Sequence, residues 1–196
     1  MTELQNAMDN LIQMRRSVYP KEYTGEKIDD SIILKMLENA DRAPTHKRTE
    51  PWRFQVFTGN GMARFAEFQS ECYKKVTIQD GTFKQERFEN LRTKPFEASH
   101  IISVGMKRDT SGSVPEWEEL AAVFCAVQNI FLTATAYGIG CYLSTGGVTG
   151  FPEAKEFFGL EAADRLCGFL YFGMVKDING PKSPRRPLSE KIKWNN

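Results

Sequence analysis

Histidine is scarce in this chain, with 2 in 196 residues, His46 and His100. The 4 cysteines, Cys72, Cys125, Cys141 and Cys167, form no C-x-x-C pair. A zinc or iron–sulfur centre therefore has no spacing signature. Cys125 and Cys167 lie in apolar runs and are expected to be small core residues. No G-x-S-x-G segment is present, so the nucleophile elbow of serine hydrolases is missing. Charge excess is absent too: 26 basic residues stand against 25 acidic ones, for a net charge of +1. That balance argues against nucleic acid as the main partner. No apolar run approaches the length of a membrane span, since Leu166 to Val175 is only strand-sized. Met1 to Arg16 is polar every few residues and lacks a signal-peptide core. The expectation is a cytoplasmic protein with no membrane partner.

What is present suits one folded domain over residues 1–196, with 41% hydrophobic residues and 14 Phe to build a core. Leu4, Met8, Leu11 and Ile12 recur at helical spacing, and Pro20 stops that helix soon after Arg16. Asp29 or Asp30 caps a second helix with Ile33, Leu37 and Ala40 on its apolar face. Trp52 to Phe57 reads as a strand closed by Gly59-Asn60-Gly61, followed by a helix from Met62 to about Gln79. Asp80 to Pro95 is polar and is expected to be a mobile excursion. Ile101–Met106, Cys141–Ser144 and Leu166–Val175 read as strands, and Pro152 opens a short helix to Phe158. Glu116 to Tyr137 is the longest helix. Its apolar residues spread almost all round, which places it in the core or against a partner chain. From Lys176 the chain reads as an extended arm. Helices alternating with strands point to an α+β or α/β sandwich.

Four segments have the residue types to bind a ligand. Arg15-Arg16-Ser17 places two planar guanidinium forks and a hydroxyl together, matched to phosphate oxygens. Alone, basic residues at a helix C-terminus are ordinary dipole compensation. Ala43-Pro44-Thr45-His46-Lys47-Arg48-Thr49-Glu50-Pro51-Trp52 is a polar loop held between two prolines. Gly138-Ile139-Gly140-Cys141-Tyr142-Leu143-Ser144-Thr145-Gly146-Gly147 offers glycines that let backbone N–H groups approach a flat ligand. It is no dinucleotide fingerprint, because Leu143 stands at the third glycine position and the order is helix, then strand. Gly138 also serves as a helix C-cap. Pro184-Arg185-Arg186-Pro187-Leu188-Ser189-Glu190 is a basic pair set between prolines.

In this order the four segments resemble the nitroreductase family over nearly the whole chain. Arg15-Arg16-Ser17 is similar to its R-R-S opening. Ala43-Pro44 with Pro51-Trp52-x-Phe54 resembles its A-P-S…Q-P-W-x-F segment. Gln128-Asn129 and Tyr137-Gly138-Ile139-Gly140 resemble its central helix and G-x-G end. Arg185-Arg186-Pro187-Leu188-x-Glu190 resembles its R-x-P-x-x-E tail.

The resemblance implies a three-layer α+β sandwich, a mainly antiparallel sheet flanked by helices, with the C-terminal arm reaching a partner subunit. It implies a homodimer with FMN at the interface and ping-pong transfer from NADH or NADPH to a small acceptor such as a nitroaromatic or quinone. The flavin carries the chemistry, so no side chain need be catalytic. Arg15, Arg16, Ser17 and Arg185 would hold the phosphate and ribityl chain. Thr45 belongs to the same cofactor set, and His46, Arg48 and Glu50 would reach the flavin of the other subunit. Leu143, Ser144, Thr145 and Gly146 would lie along the isoalloxazine ring, with a backbone N–H directed at N5. Trp117 would stack on substrate or pack at the dimer interface. Three departures stand out. Tyr19 occupies a position where the family often has a cation near N1 and O2, a role left to Lys21 or Lys47. Glu50 replaces the usual Gln. Leu143-Ser144 lacks a bulky Trp. Two alternatives share the fold: a non-catalytic FMN-binding or sensing protein, and a reductive dehalogenase-like flavoenzyme.

Overall fold

The computed structural model describes residues 1–180 and 184–195. Four antiparallel strands form one sheet in the order β1-β2-β4-β3. These are β1 (Trp52–Phe57), β2 (His100–Met106), β3 (Ile139–Ser144) and β4 (Arg165–Met174). Every residue of β2 is buried, because β2 is internal to the sheet and helices cover both faces.

Side chains alternate between the two faces. On one side Ile102, Val104, Met106, Leu170 and Phe172 pack with α2 (Asp30–Ala40) and α5 (Glu116–Ala136). On the other, Ile101, Phe169 and Tyr171 pack with α3 (Asn60–Gln79) and α4 (Gln85–Thr93). Phe158 and Ala154, from two 3₁₀ turns, complete that second core. The architecture is the expected α+β three-layer sandwich, with a sheet that is antiparallel throughout.

A β-bulge marks the middle of β4. Gly168 pairs with Val104 and Leu166 with Gly105, which leaves Cys167 as the extra residue. The bulge shifts the alternation by one, so Leu166 and Phe169 both face the second core. Only glycine fits at position 168: a Cβ would lie 2.8 Å from Leu143 Cδ1 and 2.9 Å from the Ser144 carbonyl. The bulge thus sits against the end of β3 and shapes the surface there.

Several sequence expectations need correction. The polar stretch Asp80 to Pro95 is not a mobile excursion: it holds α4, anchored by buried Phe88 and Leu91. Two apolar anchors in nine residues are too few for a periodic signal. Pro152 opens a pair of 3₁₀ turns, Pro152–Ala154 and Glu156–Phe158, instead of one helix. Cys125 is exposed and Cys167 is half-buried, whereas Cys72 and Cys141 are buried. A helix apolar all round cannot reveal from periodicity which side faces out. That same helix, α5, is long and apolar enough to cross a membrane by length and composition. Here its Ala122, Val123, Ala126, Val127 and Ile130 are buried in the sandwich.

The first helix, α1 (Glu3–Met14), is capped by Thr2 and Gln5 acting reciprocally. It buries none of its residues. Among its described residues the arm from 176 onward contains one 3₁₀ turn, Leu188–Glu190, and is exposed over 184–195. Residues 181–183 of that arm lie outside the described part.

Candidate functional site

Arg15 ends α1 and turns the chain into an extended segment. Val18 is fully buried, and its N–H donates to the Cys141 carbonyl of β3 at 3.0 Å. Tyr23 secures the segment. Its hydroxyl lies 3.0 Å from the Val18 carbonyl and 2.8 Å from the Tyr171 carbonyl, sharing one hydrogen between two acceptors. Burial holds that phenol well above its usual pKa. The ring rests on Gly173 and Gly140, where a Cβ would lie 2.2 Å and 2.9 Å from its carbons. Gly140 therefore makes room for Tyr23 and for Val175, whose Cγ1 would lie 2.7 Å from such a Cβ. Gly138, at φ +68°, closes α5 as the sequence indicates.

Held in this way, Arg15, Arg16 and Ser17 line a cavity of about 810 Å³ together with Gln128 of α5 and Arg185 of the arm. Arg15 lies over the Phe131 ring at 5.4 Å. Arg16 is partly engaged by protein: it donates to the carbonyls of Asp177 and Ile178 and pairs with Glu22, each at 3.4 Å. Three guanidinium groups, a hydroxyl and an amide around one cavity match the donor needs of a phosphate with a polyol chain.

The end of β3 borders a second cavity, about 230 Å³, lined by Tyr142, Leu143, Ser144, Thr145 and Gly146. Among the described residues, no loop hydrogen bond uses the backbone N–H of Thr145 or Gly146. A Cβ on Gly146 would meet nothing within 4 Å, so a flat ligand has room beside that backbone. The same cavity is lined by Arg87 and Asn90 of α4 and by Lys94, which opens the 3₁₀ turn after it. These three were missed in the sequence. Their signal is a stripe of donors spaced three and four residues apart, inside a stretch that reads as loop. Beyond Thr145 a groove of about 580 Å³ is lined by Leu120, Phe124, Phe151 and Cys167. Burial raises the Cys167 thiol to a pKa of about 11, so it presents an apolar, protonated sulfur at neutral pH.

The Pro44–Pro51 loop lies apart from both cavities. Thr45 Oγ1 accepts the Glu50 N–H and contacts Thr49 Oγ1, each at 3.2 Å. His46 Nδ1 meets Glu118 of α5 at 2.5 Å, and Lys47 donates to the Ser113 carbonyl at 3.2 Å. Lys47, Arg48 and Glu50 have φ of +51°, +54° and +44°. Such conformations cost about 1–3 kcal/mol each and gather where a loop is shaped for a task. His46, Arg48 and Glu50 are exposed, and Trp117 is 69% exposed one residue from Glu118. One chain thus unites Arg15, Arg16, Ser17 and Arg185, and separately the 143–146 edge. It leaves Thr45, His46, Arg48, Glu50 and Trp117 on another surface.

Comparison with known proteins gives one consistent likeness. The model of the Nitroreductase family matches residues 12–174. YdjA of Escherichia coli, a candidate NAD(P)H nitroreductase by its name, is 34% identical over 150 residues, 76% of each chain. The crystal structure of a nitroreductase-like family protein from Bacillus cereus superimposes with a TM-score of 0.81 at 26% identity, covering 96% of this chain and 95% of that one. A further fold match is NfnB from Mycobacterium smegmatis, described as an FMN-dependent nitroreductase in complex with NADPH. Its TM-score is 0.76 at 19% identity, over 99% of this chain and 100% of that one.

Proposed function

The chain belongs to the nitroreductase family, and from that premise we propose that residues 1–196 form one FMN-holding unit that passes reducing equivalents from NADH or NADPH to a small electrophilic acceptor. The observation that carries the reading is the convergence of Arg15, Arg16, Ser17 and Arg185 on one cavity, from opposite ends of the chain. Their donors suit the phosphate and ribityl oxygens of FMN. The open backbone at Thr145 and Gly146 suits the edge of the flavin ring. When bound, FMN supplies the capacity to accept and return a hydride. The protein's own part is to bind, to orient and to exclude water. Arg15 and Arg185 neutralise phosphate charge, and the Thr145–Gly146 N–H groups fix the ring's edge. Leu120, Phe124 and Phe151 line an apolar groove beside it, suited to an aromatic acceptor.

The test is direct. The protein is loaded with FMN, desalted, and its visible spectrum recorded before and after anaerobic NADH or NADPH. Retained flavin bands that bleach are the expected result. Bands that persist without bleaching would favour a binding or sensing role. Loss of all flavin on desalting would remove the reading. In the same assay Arg15→Ala weakens FMN about 10- to 100-fold, the worth of a hydrogen-bonded charge on phosphate at about 1.5–3 kcal/mol. An unchanged affinity would take Arg15 out of the site.

A homodimer belongs to the same reading. The outward side of α1 exposes Leu4 (77%), Met8 (49%) and Ile12 (52%), α5 exposes Trp117 and Phe124, and the arm exposes Leu188 and Trp194. Apolar surface on this scale favours a protein partner. A second copy would bring the strained loop with His46, Arg48 and Glu50 to a site the first chain leaves open. Light scattering is expected to give twice the 22.3 kDa chain mass. A monomer with FMN bound would end this part of the proposal. A cytoplasmic location follows from the need for NAD(P)H.

A further inference from the structure

The groove beyond Thr145 has a charged rim as well as an apolar floor. Thr145 lines both this groove and the cavity at the end of β3, so the two spaces meet at that residue. Leu120 and Phe124 of α5, with Phe151, supply the floor. The rim carries Glu116, Lys155, Asp164 and Arg165. Three of these are already engaged by protein. Asp164 is buried, and its carboxylate oxygens accept the Arg108 and Glu161 N–H groups at 2.9 Å and 2.8 Å. Glu116 and Arg165 pair with each other. The Arg165 hydrogen bond is the main cause holding the Glu116 carboxyl below its ordinary range.

Lys155 differs from them. Its Nζ donates to a neutral group, the Ala162 carbonyl, at 2.7 Å. No carboxylate forms an ion pair with it among the described residues. An ammonium has three N–H donors, so this one contact leaves capacity for an anion. The backbone beneath is well anchored. Lys155 stands between the 3₁₀ turns Pro152–Ala154 and Glu156–Phe158, whose Ala154 and Phe158 are buried. Its carbonyl accepts the N–H groups of Phe158 and Leu160, each at 3.0 Å.

Resting on the FMN reading above, we propose that Lys155 anchors the anionic end of an aromatic ligand in this groove and so sets the substrate class. The ring lies on Leu120, Phe124 and Phe151 with its reducible end toward Thr145, and a carboxylate or phosphate meets the ammonium. A neutral ligand would leave that charge unanswered, whereas an anion gains a charge-assisted hydrogen bond. The anion has two sources: an aromatic acceptor bearing a carboxylate, or the nicotinamide donor with its phosphates. Lys155 acts on specificity and touches no reacting atom.

The experiment compares 4-nitrobenzoate with its neutral methyl ester as acceptors, and NADH as donor, on FMN-loaded wild type, Lys155→Met, Lys155→Arg and Arg165→Gln. Lys155→Met keeps the aliphatic stem and removes the charge. It is expected to raise KM for 4-nitrobenzoate about tenfold, the low end for a charged hydrogen bond because the lysine is only half-buried. KM for the ester stays within about twofold. Lys155→Arg keeps the preference for the acid, and salt at about 1 M shrinks it in wild type. Benzoate, which is not reduced, is titrated by its perturbation of the flavin spectrum and loses affinity in Lys155→Met by a similar factor. If the donor's phosphates are the source, Lys155→Met leaves both acceptors unchanged and weakens NADH about tenfold in anaerobic flavin reduction, which keeps the anchor and assigns it to the donor. Unchanged values for acid, ester and NADH would overturn the proposal. Equal losses on acid and ester would do so too, since they mark a structural role only. A lost acid preference in Arg165→Gln with none in Lys155→Met would also overturn it. Wild-type protein that retains no FMN would instead sink the reading on which the proposal rests. The thermal midpoint of each variant shows separately whether the fold has survived.

Discussion

Arg108→Ala lowers the unfolding free energy by about 3–5 kcal/mol, the typical cost of leaving a buried charge without its partner. Glu119 lies on α5 with a side chain that is 0% exposed, and its ion-pair partner is Arg108, 21% exposed. One further donor reaches the carboxylate, the Asp109 N–H at 2.8 Å. Arg108 also donates to the Val114 carbonyl at 3.3 Å, and its own N–H goes to Asp164 at 2.9 Å. The pair therefore ties the 107–115 loop to the start of α5. That loop supplies the Ser113 carbonyl that holds Lys47, and the next turn supplies Glu118 for His46. Unfolding in urea should show the full loss in Arg108→Ala. A double change, Arg108→Met with Glu119→Leu, should recover much of it, because apolar side chains of similar volume replace a desolvated pair at little cost. A loss below 1 kcal/mol in the single variant would mean that water reaches Glu119 and the pair is not buried.

Gly173→Ala is expected to destabilise by about 2–4 kcal/mol and to weaken FMN binding at the same time. An added Cβ would lie 2.2 Å from Tyr23 Cγ and 2.3 Å from Cδ2, a distance no rotamer change of a ring so close to its own backbone can relieve. Overpacking of this sort costs about 1–3 kcal/mol, and displacing the Tyr23 hydroxyl from its carbonyls adds a further share of about 0.5–1.5 kcal/mol. Tyr23 also pins the segment that presents Arg15, Arg16 and Ser17. The stability loss and the affinity loss should therefore appear together in urea unfolding and in an FMN titration. Gly173→Ala and Tyr23→Ala touch the same contact, so their effects should be strongly non-additive. Additive losses would show that the ring does not seat on Gly173.

Much of the candidate site was legible before any fold. Arg15-Arg16-Ser17 and Arg185, which share one cavity, were readable as candidate phosphate donors because guanidinium chemistry is local and their order along the chain is distinctive. Leu143 to Gly146 was readable because a strand leading into adjacent glycines leaves backbone exposed. The donors Arg87, Asn90 and Lys94 were not readable. They ride on or just after a helix with two buried anchors, Phe88 and Leu91, too thin a pattern for periodicity to register. Gly140 misled for the opposite reason: a glycine announces close approach but not by what, and here the approaching groups are Val175 and Tyr23.

By itself the sequence determined the alternation of helices and strands, the capping of α2, and the residue types proposed to meet a phosphate. These depend on spacing, turn residues and side-chain chemistry, which act over a few positions. Only the tertiary structure decided which distant donors share a cavity, which outward stripe of α5 stays uncovered, and that Lys94 lies beside Tyr142 and Tyr171. Those outcomes depend on how the sheet registers and how α4 docks, set by the summed packing of residues far apart in the chain.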